Sequence, residues 1–259
     1  MKNSLAAAFL LAVLLPLPAF PLSSPPGPFS SDPPKLRAGI GLDYMSRAID
    51  LEGEAQSSRL KSRSVGLRFD MEIAEGFNMN LMAGLSFSDC GGMVFRKLPF
   101  SLEYQAGDMQ GVRLGGNLAK RLFSSGDFEM DVWGQFVSSI GSMKKWKLAD
   151  LAVEGEAEGK LTWFEALAGP RIFYRGYENV SPYLAVLYCP LWGSFQMDET
   201  IMELEGTEKK EIRGDGLVRV SLGCTWDIAG KLSLRGEAGV IPRKGAADLG
   251  ASLELLFAF

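Results

Sequence analysis

Histidine is absent from this sequence of 259 residues. Its side chain is the usual general base at neutral pH, and it completes the Ser-His and Cys-His pairs of nucleophilic enzymes. Those enzyme classes are therefore excluded. Pairs of aspartate and glutamate can also carry out acid-base chemistry, but no spacing in the sequence singles out such a pair. We predict a protein that is not an enzyme.

Cysteine and net positive charge are scarce as well. The three cysteines, Cys90, Cys189 and Cys224, are far apart and form no C-x-x-C pair, so neither a zinc site nor a thioredoxin-like motif is indicated. The net charge is -4, which leaves no basic field to hold nucleic acid. We predict no cofactor, no metal ion and no nucleic-acid partner.

Long apolar runs are missing after residue 35, so no helix of the folded region is expected to cross a membrane. The N-terminus is different, because Lys2 is followed by an apolar run from Leu5 to Leu15 and then by small residues and prolines. This arrangement is typical of a secretory signal peptide. We predict a signal peptide over residues 1–22, a proline-rich segment over 23–34 and one folded domain over 35–259.

Apolar and polar residues alternate through most of the folded domain, which is the pattern of β-strands with one apolar face. In the clearest strands the apolar column contains no charged residue. These strands are residues 35–44, 64–73, 77–87, 128–136, 218–228, 232–240 and 249–259. Three weaker strands are 112–123, 160–174 and 182–192, and the last two contain Pro170 and Pro190, which indicate bulges or strand ends.

Short turns and longer polar loops alternate between these strands. The turns are at 74–76, 124–127, 175–181 and 229–230, and the loops are at 47–59, 88–110, 141–159, 193–212 and 242–246. Tight turns on one side and long loops on the other are typical of an up-and-down antiparallel barrel. We predict an all-β fold, a transmembrane β-barrel of about ten strands (eight to twelve).

The polar column indicates which face of the sheet points inward. It is rich in Gly, Ser and Asn, which suit a narrow lumen, and its charges have both signs, so they can neutralise one another there. We predict that its charged residues line the lumen: Arg37, Asp43, Arg68, Asp70, Glu72, Glu129, Asp131, Arg219, Arg235, Glu237 and Glu254. Aromatic residues near the ends of the apolar columns predict two girdles at the membrane interfaces. These are Tyr44, Phe77, Phe87, Phe128, Tyr183, Trp226, Phe257 and Phe259.

The final strand, AADLGASLELLFAF, ends on alternating Leu255, Phe257 and Phe259. It resembles the closing strand of bacterial outer-membrane β-barrel proteins, and the whole domain is similar in pattern to the small porin-like barrels. The resemblance implies a bacterial outer-membrane location, a periplasmic position for residues 23–34, and an assembly signal formed by those three residues. It also implies as partners the barrel assembly machinery, outer-membrane lipid and lipopolysaccharide. The outer-membrane proteases also have ten strands, but their chemistry requires a histidine.

Two kinds of function fit this resemblance. The barrel is either a narrow porin-like channel, with a small solute as partner, or a plugged structural or surface-binding barrel. The alternative from another class is a soluble periplasmic or secreted barrel that carries a lipid inside. In one loop, the basic residues of Lys144–Lys147 can hold lipopolysaccharide phosphates if Trp146 lies in the membrane interface, although a solvated loop is the simpler interpretation.

Overall fold

The computed structural model describes residues 36–51, 58–98, 101–104, 107–148, 155–228, 230–243 and 246–259. The predicted signal peptide (1–22) and proline-rich segment (23–34) lie outside the described residues. Within the described ranges the chain forms β-strands, turns and bends. No helix in these ranges is both long and apolar enough to cross a membrane.

The described residues form fifteen strands, which pair in antiparallel fashion. They are β1 (Leu36–Leu51), β2 (Ser58–Ala74), β3 (Phe77–Gly91), β4 (Val94–Phe95), β5 (Leu102–Glu103), β6 (Met109–Ser125), β7 (Phe128–Gly141), β8 (Lys144–Lys147), β9 (Gly155–Tyr174), β10 (Val180–Tyr188), β11 (Leu191–Ile201), β12 (Leu204–Gly214), β13 (Val218–Asp227), β14 (Leu232–Arg243) and β15 (Ala246–Ala258). Strand β1 pairs with both β2 and β15, so the sheet closes on itself.

Three of the barrel strands are interrupted, and this explains how fifteen strands make a ten-stranded barrel. Each interrupted barrel strand consists of two consecutive segments that pair, on one side, with the same neighbouring barrel strand. The segments are β7 and β8, β10 and β11, and β12 and β13, and strands β4 and β5 form a separate hairpin. The break between β10 and β11 contains Pro190, which has no N–H to donate. The break before β13 contains Gly216, whose φ is 82°. The predicted ten-stranded, up-and-down barrel is confirmed.

The barrel has two tiers, because strands β12 and β13 have different neighbours. Strand β13 pairs with β14, whereas β12 pairs with β1 through Ile49 and Gly214. The β14–β15 hairpin therefore ends below the level at which β12 meets β1. We call the ten-stranded part, which carries the short turns, the lower tier. The upper tier is the eight-stranded part at the other end of the barrel. It consists of β11 and β12, of the ends of β1, β2, β3, β6 and β9 that lie away from the short turns, and of the end of β7 together with β8.

Part of the upper tier was predicted as loop, and that prediction was wrong. Residues 193–212 form most of the β11–β12 hairpin, and the supposed loop at 47–59 contains the ends of β1 and β2. Their outward side chains are polar, as in Gln196 and Lys209, so these strands lack the apolar outer column used to recognise the others. An outer face in contact with water has no need of one.

The two faces of each long strand exchange polarity between the tiers, as β2 illustrates. In the lower tier its outward Leu67 is 53% exposed and its inward Arg68 is 2% exposed. In the upper tier the outward positions include Lys61 and Arg63, and the inward Leu60 is fully buried. An apolar outer belt around an ionic interior is the arrangement of a membrane barrel, whereas a charged exterior around an apolar interior suits water.

Aromatic residues border the apolar belt, with one exception to the prediction. Outward Tyr44, Phe128, Trp226 and Phe257 are each between 42% and 54% exposed. Tyr183 is only 4% exposed and points into the lumen, so its assignment to a girdle was wrong. The segment around it is apolar on both faces, which left the register of that strand ambiguous in the sequence.

A cation placed on the belt tests this orientation. We expect Leu81→Arg, at an outward position near the middle of β3, to lower the free energy of unfolding in phospholipid vesicles by about 2–4 kcal/mol, because hydrocarbon does not solvate the guanidinium. The matched control is Gln110→Arg, at an exposed position of the upper tier, which should change stability by less than about 1 kcal/mol. Urea titration of the inserted barrel measures both, and equal effects would contradict the assignment of the belt.

Candidate functional site

The lower tier encloses a cavity of about 510 Å³. All eleven side chains that the sequence analysis assigned to the lumen line this cavity. Several lining residues were not on that list, namely Arg113, Arg121, Glu165, Arg171, Arg175 and Asp227. The cavity wall therefore carries many charges of both signs, and its cations are all arginine.

A chain of alternating charges runs along one part of the cavity wall. Arg68 contacts Asp43 (Nη2 to Oδ2, 2.5 Å) and Glu254 (Nε to Oε1, 3.2 Å). Arg235 contacts the same Glu254 (Nη1 to Oε2, 3.1 Å) and also Asp70 (Nη2 to Oδ2, 2.9 Å). These five residues come from β1, β2, β14 and β15, which are adjacent in the closed barrel. The chain therefore ties together the two ends of the sheet where it closes.

Glycine provides the space that these arginines occupy. A Cβ atom at Gly41 would lie 2.4 Å from Nε of Arg68, and one at Gly239 would lie 2.2 Å from Nε of Arg219. Both distances are far below van der Waals contact, so a larger residue would displace the guanidinium from its carboxylate partners. Gly41 and Gly239 thus belong to the ionic network.

A second group of contacts extends from β14 through β13 and β10 to β9 and β7. Glu237 accepts a hydrogen bond from Tyr183 (2.7 Å) and pairs with Arg219 (2.9 Å). Arg171 donates two hydrogen bonds to Asp131, of 3.0 and 2.6 Å, and its guanidinium lies 5.1 Å from the ring centre of Trp133. Such paired, planar contacts hold arginine in one orientation. Arg171 was not predicted to line the lumen, and Tyr183 was assigned to a girdle, because both lie on strands whose register the sequence left weakly defined.

Arg47 is a buried arginine that the sequence analysis placed in a loop. Its Nη1 donates to Glu165 (2.8 Å), and its Nη2 donates to the carbonyl oxygens of Cys189 (2.5 Å) and Gly216 (2.7 Å). Those two carbonyls lie at the interruptions of the β10–β11 and β12–β13 strands. Arg47 therefore supplies hydrogen bonds where the strand ladder is broken. The signal available in the sequence was that the two-residue period of β1 continues through Met45 to Arg47.

The cavity meets solvent at the end that carries the short turns. There Arg121 and Arg175 both contact Glu129, at 3.3 and 3.2 Å, and their side chains are each 43% exposed. Arg37 and Asp227 lie 3.8 Å apart at the same end and are also partly exposed. The mouth of the cavity is thus lined by exposed ion pairs, whose net contribution to stability is small.

The opposite end of the cavity is closed by an apolar plug. The segment between β3 and β6, which contains the β4–β5 hairpin, places Met93, Phe95, Leu98 and Tyr104 inside the upper tier, where they are 0–6% exposed. They belong to one cluster with inward side chains of the surrounding wall. The wall residues are Ile49, Leu51, Leu60, Met82, Cys90, Met109, Val137, Leu161, Trp163, Leu191, Phe195, Met197 and Ile212. These seventeen residues are what we call the plug.

Aromatic rings hold the hairpin against the wall. The ring centre of Phe195 lies 5.2 Å from that of Phe95 and 5.0 Å from that of Tyr104. Tyr104 also makes an edge contact with Trp146, with ring centres 5.7 Å apart. The possibility that Trp146 lies in the membrane interface, which was the less favoured interpretation, is therefore excluded, because this ring packs against the plug. The favoured solvated loop is also wrong for these residues, which form β8.

Two buried charges also fasten the plug segment. Glu208 accepts a hydrogen bond from the backbone N–H of Lys97 (2.7 Å), and its other oxygen lies 3.7 Å from Nζ of Lys210. Nζ of Lys210 is also 5.5 Å from the ring centre of Phe95. The hairpin is thus attached to β12 by polar contacts as well as by apolar packing.

The plug also determines the chemistry of Cys90. Burial raises the pKa of its thiol, and the nearby Asp89 raises it further, so the thiol stays protonated and unreactive. Burial likewise raises the pKa of the Tyr104 hydroxyl. Cys90, Cys189 and Cys224 are all free thiols. The described residues contain no group of three or more Cys, Asp or Glu side chains that could hold a metal ion.

The sequence matches no protein-family model and no curated protein. Among solved structures, the outer membrane protease OmpT from Escherichia coli superposes with a TM-score of 0.52 at 10% identity, covering 90% of this chain and 99% of that one. The Ail protein of Yersinia pestis (TM-score 0.32, 11% identity, 86% and 98% covered) and an outer membrane channel from Pseudomonas putida F1 (0.37, 12%, 92% and 100%) are more distant. The similarity to OmpT is one of fold.

Removing the central cation tests the ionic network. We expect Arg68→Met to lower the free energy of unfolding by about 3–5 kcal/mol, because it leaves the carboxylates of Asp43 and Glu254 buried with less compensating charge. The control is Arg63→Met on the same strand, whose side chain is 65% exposed, with an expected loss below about 1 kcal/mol. Urea unfolding in vesicles, followed by tryptophan fluorescence, compares them. Similar losses for both variants would refute the network's role.

Proposed function

We propose that this ten-stranded β-barrel lies in a bacterial outer membrane and works there as a closed, plugged barrel and not as an open porin-like channel. The observation that carries the proposal is the plug. Apolar side chains from every wall of the upper tier meet Phe95 and Tyr104 inside the barrel. A hydrated solute has no polar path through such a core.

The size of the upper tier supports the same conclusion. An eight-stranded barrel has a narrow interior, which here is filled by side chains of the wall together with those of the β4–β5 segment. Here Trp163, Phe195 and Met197 are each at most 1% exposed, as expected of a filled interior. The lower cavity is therefore a vestibule that opens at the side of the short turns, which is the periplasmic side in barrels of this type.

The proposal assigns no catalytic role to the vestibule. Its central carboxylates, Asp43, Asp70, Glu237 and Glu254, are each held by an arginine. Each of these carboxylates is therefore already engaged in an ion pair within the cavity. OmpT is a protease, but the similarity to it is one of fold, and this chain has no histidine. The role that remains is structural or surface-binding, with the upper tier as the exposed part.

The soluble lipid carrier does not fit this architecture. Such a carrier would surround its lipid with apolar side chains and present charges to water. In the lower tier the charges are inside, and the outward Ile40 and Leu42 are 54% and 52% exposed. The C-terminal strand agrees with a membrane barrel, because Phe257 and Phe259 are 49% and 85% exposed. We propose that these residues, with Leu255, are read by the barrel assembly machinery.

Conductance in a planar bilayer tests the plugged barrel. We expect the wild-type protein to give no steady ion current, because the plug interrupts the aqueous path. A variant in which residues 93–108 are replaced by a short Gly-Ser linker should conduct, since that change removes the hairpin from the lumen.

The matched control shortens the β11–β12 tip at residues 202–203, which lies outside the plug, and should remain closed. A shift in gel mobility on heating confirms that each variant is a folded barrel. Steady single-channel currents from the wild-type protein would overturn the proposal.

A further inference from the structure

A basic face lies on the outside of the upper tier, where β9, β11 and β12 run side by side. Strand register places its residues in three rows. The first row is Phe164, Trp192 and Arg213, the second is Thr162, Ser194 and Glu211, and the third is Lys160, Gln196 and Lys209. Each row lies about 7 Å further along the strands than the one before it.

The first row marks the edge of the apolar belt. Phe136, Phe164 and Trp192 form an aromatic cluster with ring centres 6.0–6.2 Å apart, and Trp192 is 37% exposed. Aromatic residues of this kind mark the level at which the acyl chains meet the headgroups. On β11 and β12, the second and third rows lie beyond this aromatic edge, on the side of the upper tier.

The charges of the basic face are unbalanced. It carries three cations, Lys160, Lys209 and Arg213. The carboxylate of Glu211 lies 3.5 Å from Arg213, and Asp50 lies directly opposite Arg213 on the neighbouring β1. Lys160 and Lys209 contact no carboxylate among the described residues. The hydroxyls of Thr162 and Ser194 lie between the cations. Basic residues elsewhere on the upper tier contact carboxylates more evenly. Arg63 contacts Asp108, for example, and Lys145 contacts Glu158.

Apart from Glu211 and Asp50, the carboxylates near this face lie further from the apolar belt than Lys160 and Lys209 do. Asp198 accepts a hydrogen bond from Thr207 (2.7 Å) in the next row outward. Glu158, which contacts Lys145, lies in that row too. Lys160 and Lys209 thus lie between the apolar belt and these outer carboxylates, where they can meet anionic headgroups.

We propose that the basic face binds the phosphate groups of lipopolysaccharide in the outer leaflet. Lys160, Lys209 and Arg213 pair with the phosphates, the hydroxyls of Thr162 and Ser194 donate further hydrogen bonds, and an acyl chain lies on the rings of Phe164 and Trp192. This inference rests on the outer-membrane location and is independent of whether the barrel is plugged.

The test compares lipopolysaccharide binding by three proteins in detergent. The test variant is Lys160→Gln with Lys209→Gln and Arg213→Gln, and the control variant is Lys145→Gln with Lys147→Gln, whose cations lie opposite Glu158 and Glu156. We expect the triple variant to bind lipopolysaccharide roughly 10- to 100-fold more weakly than wild type, and the control to bind as wild type does. The phosphate retained per purified barrel provides a second readout.

Further arms separate the sources of phosphate. Wild type should bind lipopolysaccharide more tightly than phosphatidylglycerol vesicles, and inorganic phosphate at equal concentration should not compete. The shift in gel mobility on heating verifies that each variant is folded. If the triple variant does not fold, the single Lys160→Gln variant replaces it, with an expected severalfold loss of affinity for lipopolysaccharide. Equal binding by triple variant and wild type, or equal binding to both lipids, would overturn the proposal. Conductance is unaffected by either result, so the plugged barrel is tested separately.

Discussion

Each long strand of this barrel passes from hydrocarbon into water, and its outward face must suit both solvents. Hydrocarbon requires apolar side chains outside, whereas water favours charged ones. Since successive side chains of a strand point to opposite faces, the inward face is free to take the opposite character at each level. Strand β2 shows the result in one segment, with Leu67 outside and Arg68 inside in the lower tier, and Lys61 outside and Leu60 inside in the upper tier.

The two interiors that follow from this constraint are stabilised in different ways. In the lower tier, Arg68 and Arg235 are held by carboxylates on several strands, because an unpaired charge in a confined lumen would be costly. In the upper tier, apolar packing around Phe95 stabilises the interior, as the hydrophobic core does in a soluble domain. The two meet near Trp163, whose Nε1 donates to Ser88 (3.2 Å) and whose ring centre lies 6.0 Å from the guanidinium carbon of Arg113.

The sequence was informative where the outer face meets lipid. Alternation of apolar and polar residues placed Ile40 outside and Arg68 inside, and it gave the number of strands, because hydrocarbon permits few departures from the pattern. It failed in the upper tier, where strands with polar outer faces resemble loops, as at residues 193–212. It also failed to find the plug, since Met93, Phe95 and Tyr104 follow no period and acquire their role from contacts distant in the chain. Tyr183 was misplaced for a related reason, because both faces of its strand are apolar.

The reversal of polarity along β2 is the central claim, and a nitroxide scan of that strand tests it most directly. Single cysteines are introduced at positions 59 to 73 in a variant with serine at 90, 189 and 224, and each spin label is probed with oxygen and with a polar nickel complex. The account predicts oxygen accessibility at the outward positions 65 to 73, nickel accessibility at 61 and 63, and neither at 60. Nickel accessibility at 67 and 69, or oxygen accessibility extending through 61, would contradict it.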